Sequence, residues 1–195
     1  QSYAVNYVDA NGTEHSTNAI PLDGSMTTLN GTYYVGANIT FTSTITLNGN
    51  TTLILVNGKT MNVGTSDNRI PDEGITGNKN RKHTLTIYGQ SLDEATAGHL
   101  SIYNSRDNGI YLSSYNQQSG NVTVNSTTNN YTISGDCFTR SGGKLNAINN
   151  HTDGDGINGY YQIHILGGQL DTYVSNNTYD ALISFSGSIT LGWTN

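Results

Sequence analysis

Charge is scarce in this chain, and positive charge scarcest: Lys and Arg together number 8 against 14 Asp and Glu, for a formal net charge of −6. Gripping a phosphate backbone takes clustered basic side chains, so this balance argues against nucleic acid as a partner. Cysteine is nearly absent. Cys137 stands alone, so no internal disulfide can form. Only Pro21 and Pro71 supply proline, too little for a Pro-rich linker. Missing too are an apolar run of about 18 residues and a charged start followed by an apolar h-region. No transmembrane segment is expected, and an exported form would already have lost its signal.

What the chain does have is glycine (23 residues) and a hydrophobic fraction of 34%, spread in very short pieces. Leu85-Thr86-Ile87, Leu100-Ser101-Ile102, Val122-Thr123-Val124 and Ile163-His164-Ile165 alternate apolar with polar, the period-two signature of strands. A recurring triplet punctuates them: an acid or amide, a small residue, an apolar residue. It reads Glu73-Gly74-Ile75, Asn108-Gly109-Ile110, Asp136-Cys137-Phe138, Asp155-Gly156-Ile157 and Asp180-Ala181-Leu182, with apolar positions 35, 28, 19 and 25 residues apart. Repeats of roughly 20–50 residues signal stacked architectures. The spacing therefore predicts an all-β protein, a right-handed, single-stranded parallel β-helix (β-solenoid) in which each repeat supplies about three short strands.

The first residues read differently. Tyr3, Val5 and Tyr7 alternate with polar positions, and Asp9-Ala10-Asn11-Gly12 is a turn signal. Residues 1–31 are expected to form an N-terminal β-hairpin cap that shields an open edge, and residues 32–195 the β-helix, the two making one structural domain. Thr65 to His83 holds much of the charge, including Asp67, Arg69, Asp72, Glu73, Lys79, Arg81 and Lys82, and is expected to be a loop. At the other end, either Trp193 caps the last repeat or the chain is one piece of a longer protein. Cys137 occupies the small position of its triplet, where a buried, inert thiol is expected.

The run Leu53-Ile54-Leu55-Val56-Asn57-Gly58-Lys59-Thr60-Met61-Asn62-Val63, followed by Leu85-Thr86-Ile87-Tyr88-Gly89-Gln90 and Gly98-His99-Leu100, resembles secreted, pectate-lyase-like β-helix repeat proteins of gut Bacteroidetes and related bacteria. The resemblance covers most of Thr32 to Asn195 in repeat style and includes no catalytic motif. It implies the fold and an extracellular or bacterial cell-surface location.

Two sets of residues carry functional expectations. Stacked Glu73, Asn108, Asp136, Asp155 and Asp180 would form a ladder whose simplest role is to accept hydrogen bonds from turn amides. Asp136, Asp155 and Asp180 would otherwise repel one another unless bridged by a cation, and calcium is the cation such oxygen-rich sites take. His151-Thr152-Asp153-Gly154-Asp155 has the residue types for acid–base chemistry, with Asp180 nearby and His164 one repeat on. It resembles the Asn-Thr-Asp motif of β-helical polygalacturonases with His151 in place of Asn, but an adjacent Asp pair, Gly-His-Gly and Arg-x-Lys are all missing. A lyase would draw its base from Arg140 or Lys144.

The second set is aromatic. Tyr88, Tyr103, Tyr111 and Tyr173 each follow an inward strand position, so alternation turns them outward, where a ring can stack on a sugar. Non-catalytic carbohydrate binding or adhesion, with a polysaccharide or glycan as partner, is the leading expectation. The alternative is a glycoside hydrolase or polysaccharide lyase using Asp153, Asp155, Asp180 and His151. A structural spacer of a surface protein is the third.

Overall fold

The computed structural model describes residues 1–78 and 81–192. Lys79 in the charged loop and Trp193 at the end lie outside the described residues. The strands are β1 (Tyr3–Val8), β2 (Glu14–Pro21), β3 (Thr28–Val35), β4 (Ile39–Phe41), β5 (Ile45–Leu55), β6 (Thr60–Val63), β7 (Ile75–Thr76), β8 (Thr84–Gly89) and β9 (His99–Asn104). They continue with β10 (Ile110–Tyr111), β11 (Ser114–Gln117), β12 (Asn121–Ser126), β13 (Tyr131–Arg140), β14 (Lys144–Asn149), β15 (Asp155–Ile165), β16 (Gln169–Val174), β17 (Leu182–Ile183) and β18 (Ser188–Leu191).

Alternation makes each strand, and register stacks strands into columns. In β8, Leu85 and Ile87 are buried while Thr84, Thr86 and Tyr88 face out. Parallel pairing sets equivalent residues of successive repeats side by side. Met61, Leu100, Val122, Leu145 and Leu170 form one inward column, and Ile45, Ile75, Ile110, Ile133, Ile157 and Leu182 another. Inward side chains of both sheets join in a single apolar cluster. Fully burying each such side chain is worth about 1.5–3 kcal/mol.

The expected architecture is corrected by the pairing. The chain is all-β, with no helix among the described residues, but its strands join two sheets of 12 and 6 that do not close into a solenoid. Two physical features account for the difference. Long strands β5 and β13 run on past the corners where separate short strands are expected, each pairing with two successive partners, and β13 passes its corner through a register shift between Gly135 and Cys137. The hairpin, moreover, is part of the large sheet: β1 and β2 pair antiparallel, the end of β2 runs along the edge of β3 opposite β5 through Ile20↔Tyr33, and Val8 pairs with Gly89, which makes that sheet mixed. The reason lies in an outward column, Tyr34, Ile54 and Tyr88, that is apolar where its neighbours are polar. Val5 and Ala19 cover Ile54, and the Tyr7 ring lies 4.4 Å from that of Tyr88.

A polar column holds one corner. Asn104, Ser126 and Asn149 are paired in register and fully buried. Asn104 donates to the carbonyls of Asp72 and Asp107, and Asn149 to those of Asn130 and Asp155. Side-chain amides thus satisfy the backbone of the loops that lead into the Ile75 column. Those loops carry the rim of the site described next.

Candidate functional groove

Beside the Ile75 column runs an outward one: Thr46, Thr76, Tyr111, Ser134, Asn158 and Ile183. Away from the hairpin, outward residues such as Thr84 and Thr86 are half-exposed, yet Thr76 is 6%, Ser134 3% and Asn158 3% exposed. These three lie at the base of two depressions on that face. Over Ser134 and Asn158 lies a depression of about 390 Å³ walled by Tyr111, Tyr131, Tyr160, Phe185 and Arg81. Over Thr76 lies a second, of about 520 Å³, rimmed by Asp72, Glu73 and Asp107.

The first depression is held in shape by its own contacts. The Tyr160 ring lies 4.8 Å from Tyr161, edge to face, and 6.0 Å from Phe185. Arg81 sits 5.4 Å above the Tyr160 ring and reaches Asp136 at 3.4 Å, so its charge is already balanced. Burial, then the neighbouring Asp155 and Asp180 charges, push the Tyr131 phenol up, with Arg81 opposing them. It stays protonated at neutral pH and can donate. On the floor Asn158 Nδ2 donates to Ser134 Oγ at 3.2 Å, while Asn158 Oδ1 has no partner. Thr76 Oγ1 is likewise buried and unpaired. Each such group costs roughly 1–3 kcal/mol unless something satisfies it.

The acid ladder forms with one member changed. Tyr131 pairs with Asp155, so the column reads Glu73, Asn108, Tyr131, Asp155, Asp180, and Asp136 falls beyond the shift in β13. Asn108 Oδ1 accepts the Tyr131 N–H at 3.1 Å and Asp155 Oδ1 accepts the Asp180 N–H at 2.9 Å. These are the turn-amide bonds that the simplest reading expects. Among the described residues no three His, Cys, Asp or Glu side chains gather as a metal site. His151 Nδ1 accepts the Asp153 N–H at 3.0 Å, and Asp153 Oδ1 accepts from the Tyr179 hydroxyl at 3.3 Å. Arg140 is inside the core, and Lys144 is paired with Glu94.

The four outward tyrosines lie apart. Tyr111 lines the groove and Tyr88 is under the hairpin. Tyr103 and Tyr173 share a column on the small sheet with Asn125 and Ile148 between them; Arg69 covers Tyr103 at 5.7 Å, and Tyr173 is 53% exposed. Cys137 is corrected too: it is half-exposed in an outward column with Ser114 and Gln162. The floor residues Thr76, Ser134 and Asn158 were not singled out by the sequence reading. Their signal is positional, since each directly follows an inward Ile. No family model, curated protein or solved structure matches the chain.

Proposed function

We propose that this protein binds carbohydrate without turning it over, at a cell surface or outside the cell, and that the depression over Ser134 and Asn158 is its saccharide site. The observation that carries this reading is the depression itself, where four aromatic rings wall a base formed by the polar Ser134 and Asn158. A sugar ring has apolar C–H faces and a hydroxyl rim. The faces pack on Tyr111, Tyr131, Tyr160 and Phe185 with little side-chain entropy to lose, while the protonated Tyr131 phenol can hydrogen-bond the hydroxyl rim. Few convergent polar groups inside an apolar cleft is the ordinary make-up of a small-molecule site.

Two of the carboxylates offered for catalysis are engaged otherwise: Asp155 bonds a backbone amide and Asp153 is bonded by Tyr179, while Asp136, offered only as a calcium ligand, pairs with Arg81. Native affinity electrophoresis on plant, host and microbial polysaccharides, with assay for released reducing ends or unsaturated products, tests the reading. Retardation without products, weakened at least tenfold by Tyr160→Ala, is the expected result. Product release would overturn it in favour of an enzyme, and failure of every polysaccharide to retard the protein would favour a spacer.

A further inference from the structure

Register shows where the aromatic depression stops. Ahead of Ser134 in its column comes Tyr111, and ahead of Tyr111 comes Thr76, which belongs to the other depression; no described residue lines both. Tyr111 therefore closes one end. At the opposite end Asn158 is followed in the column by Ile183, and Phe185, two residues further on, lines the depression. That segment is pinned, because Ser184 Oγ and the Ser186 N–H both donate to the Tyr160 carbonyl, at 3.4 Å and 2.9 Å. The flanks come from the strands themselves. Tyr131 precedes Ser134 on β13, and Tyr160 follows Asn158 on β15 with Arg81 stacked on its ring.

The walls rise over the base, which is why Ser134 and Asn158 keep only 3% exposure each. From the strand of Tyr111 to that of Ile183 there are three strand spacings, about 14 Å, and the rings at both ends take up part of that length. The volume, about 390 Å³, stands near the lower end of the range for small-molecule sites, about 300–1,000 Å³. An internal unit of a linear glycan has a linkage leaving on each side and needs two gaps in the wall. A terminal unit has one linkage, which can leave upward into solvent.

We infer that the depression holds the end of a glycan chain, about one or two sugar units, and that Tyr111 and Phe185 set this limit. This rests on the saccharide-binding reading above and adds which part of the glycan is held. Titration calorimetry of the full chain tests it, first with the methyl glycosides of glucose, galactose, mannose, N-acetylglucosamine and fucose. The linear disaccharide, tetrasaccharide and polymer ending in whichever sugar binds follow. The tetrasaccharide is expected to match the disaccharide within about twofold, with one protein bound per linear chain whatever its length. Phe185→Ala changes a residue that is 56% exposed and opens one end wall. In that variant the tetrasaccharide should bind about two- to tenfold more tightly than the disaccharide, the worth of one net hydrogen bond. Affinity that climbs severalfold from disaccharide to tetrasaccharide in the parent overturns the inference and leaves saccharide binding standing. A protein-to-polymer ratio that grows with chain length, or a Phe185→Ala preference still near one, does the same. If none of these sugars binds the folded chain, the depression is not a saccharide site and both readings fall.

Discussion

Arg140 offers the sharpest test of how this fold is held. It is 0% exposed and stands in an inward column between Gln117 and Ile165. Its Nη1 donates to the Gly167 carbonyl at 3.2 Å, and its Nη2 to those of Gly142, at 3.2 Å, and Gly143. Burial draws its guanidinium pKa down, and its Nε is unpaired. Replacing a buried ion by a packed hydrophobe is often neutral or stabilising, so the sign has to be worked out. Arg140→Met relieves the unpaired Nε and the buried charge. It also strips the bonds that Arg140 makes to the Gly142 and Gly167 carbonyls, whereas Gly143 keeps the Gln169 N–H at 2.9 Å. Backbone carbonyls cannot be mutated away, and two left unpaired cost roughly 2–6 kcal/mol. Set against about 1–3 kcal/mol of relief for the orphaned Nε, the net expectation is a loss of about 2 kcal/mol. For a chain of this size that is a fall of roughly 4–8 °C in Tm. Calorimetry or thermal denaturation followed by circular dichroism reads it. A Met variant as stable as the parent, or more so, would refute the argument that this cation is kept for its carbonyls.

The small residue before each inward Ile is equally exposed to test. A Cβ on Gly109 would lie 2.6 Å from the Thr132 carbonyl oxygen and 2.4 Å from Val124 Cγ1, so Gly109→Ala should cost at least about 1–3 kcal/mol by overpacking, read as a lower Tm. Asp155→Asn keeps an acceptor for the Asp180 N–H and should change Tm by less than about 2 °C, while Asp155→Ala removes it and should cost about 1 kcal/mol; neither should alter product release in a polysaccharide assay. In the hairpin turn, the hydrogen bond from His15, at 2.8 Å, and the Asn11 and Thr13 amides lower the Asp9 pKa from 3.8. A depressed carboxylate contributes in full above its unfolded value and loses that contribution as pH falls through the folded one. Amide exchange at Asn11 and Thr13, corrected for intrinsic rates, should therefore lose protection only below about pH 4, and Asp9→Asn should abolish that acid dependence.

Strand alternation, the acid-or-amide ladder and the crowded small position were all legible, because each is local: two to four residues fix the pattern wherever it recurs. The register of the ladder was not. Asp136-Cys137-Phe138 and Tyr131-Thr132-Ile133 both end on a buried apolar residue within the same strand, and the shift between Gly135 and Cys137 lets both face the core. Choosing between them requires knowing which Ile each pairs with. Pairing Ile133 with Ile110 and Ile157 makes these gaps 23 and 24 residues instead of 28 and 19. An even period is the criterion that would have placed Tyr131 in the ladder and Asp136 outside it.

The hairpin and the groove escaped the sequence for a common reason: both depend on what covers an outward residue. Alternation assigns Ile54, Ser134 and Asn158 the same status, that of a side chain facing away from the core. Ile54 is then buried by the hairpin that precedes it in the chain, and Ser134 and Asn158 by aromatic walls from neighbouring repeats. For Ile54 the cover is complete, apolar on apolar, and nothing more is required of it. For Asn158 the cover is a ring of aromatic walls that stays open as a depression, and that difference separates a packing surface from a candidate binding one. An apolar outward residue asks for part of its own chain; a polar one at the base of an open, aromatic-walled depression leaves room for a ligand.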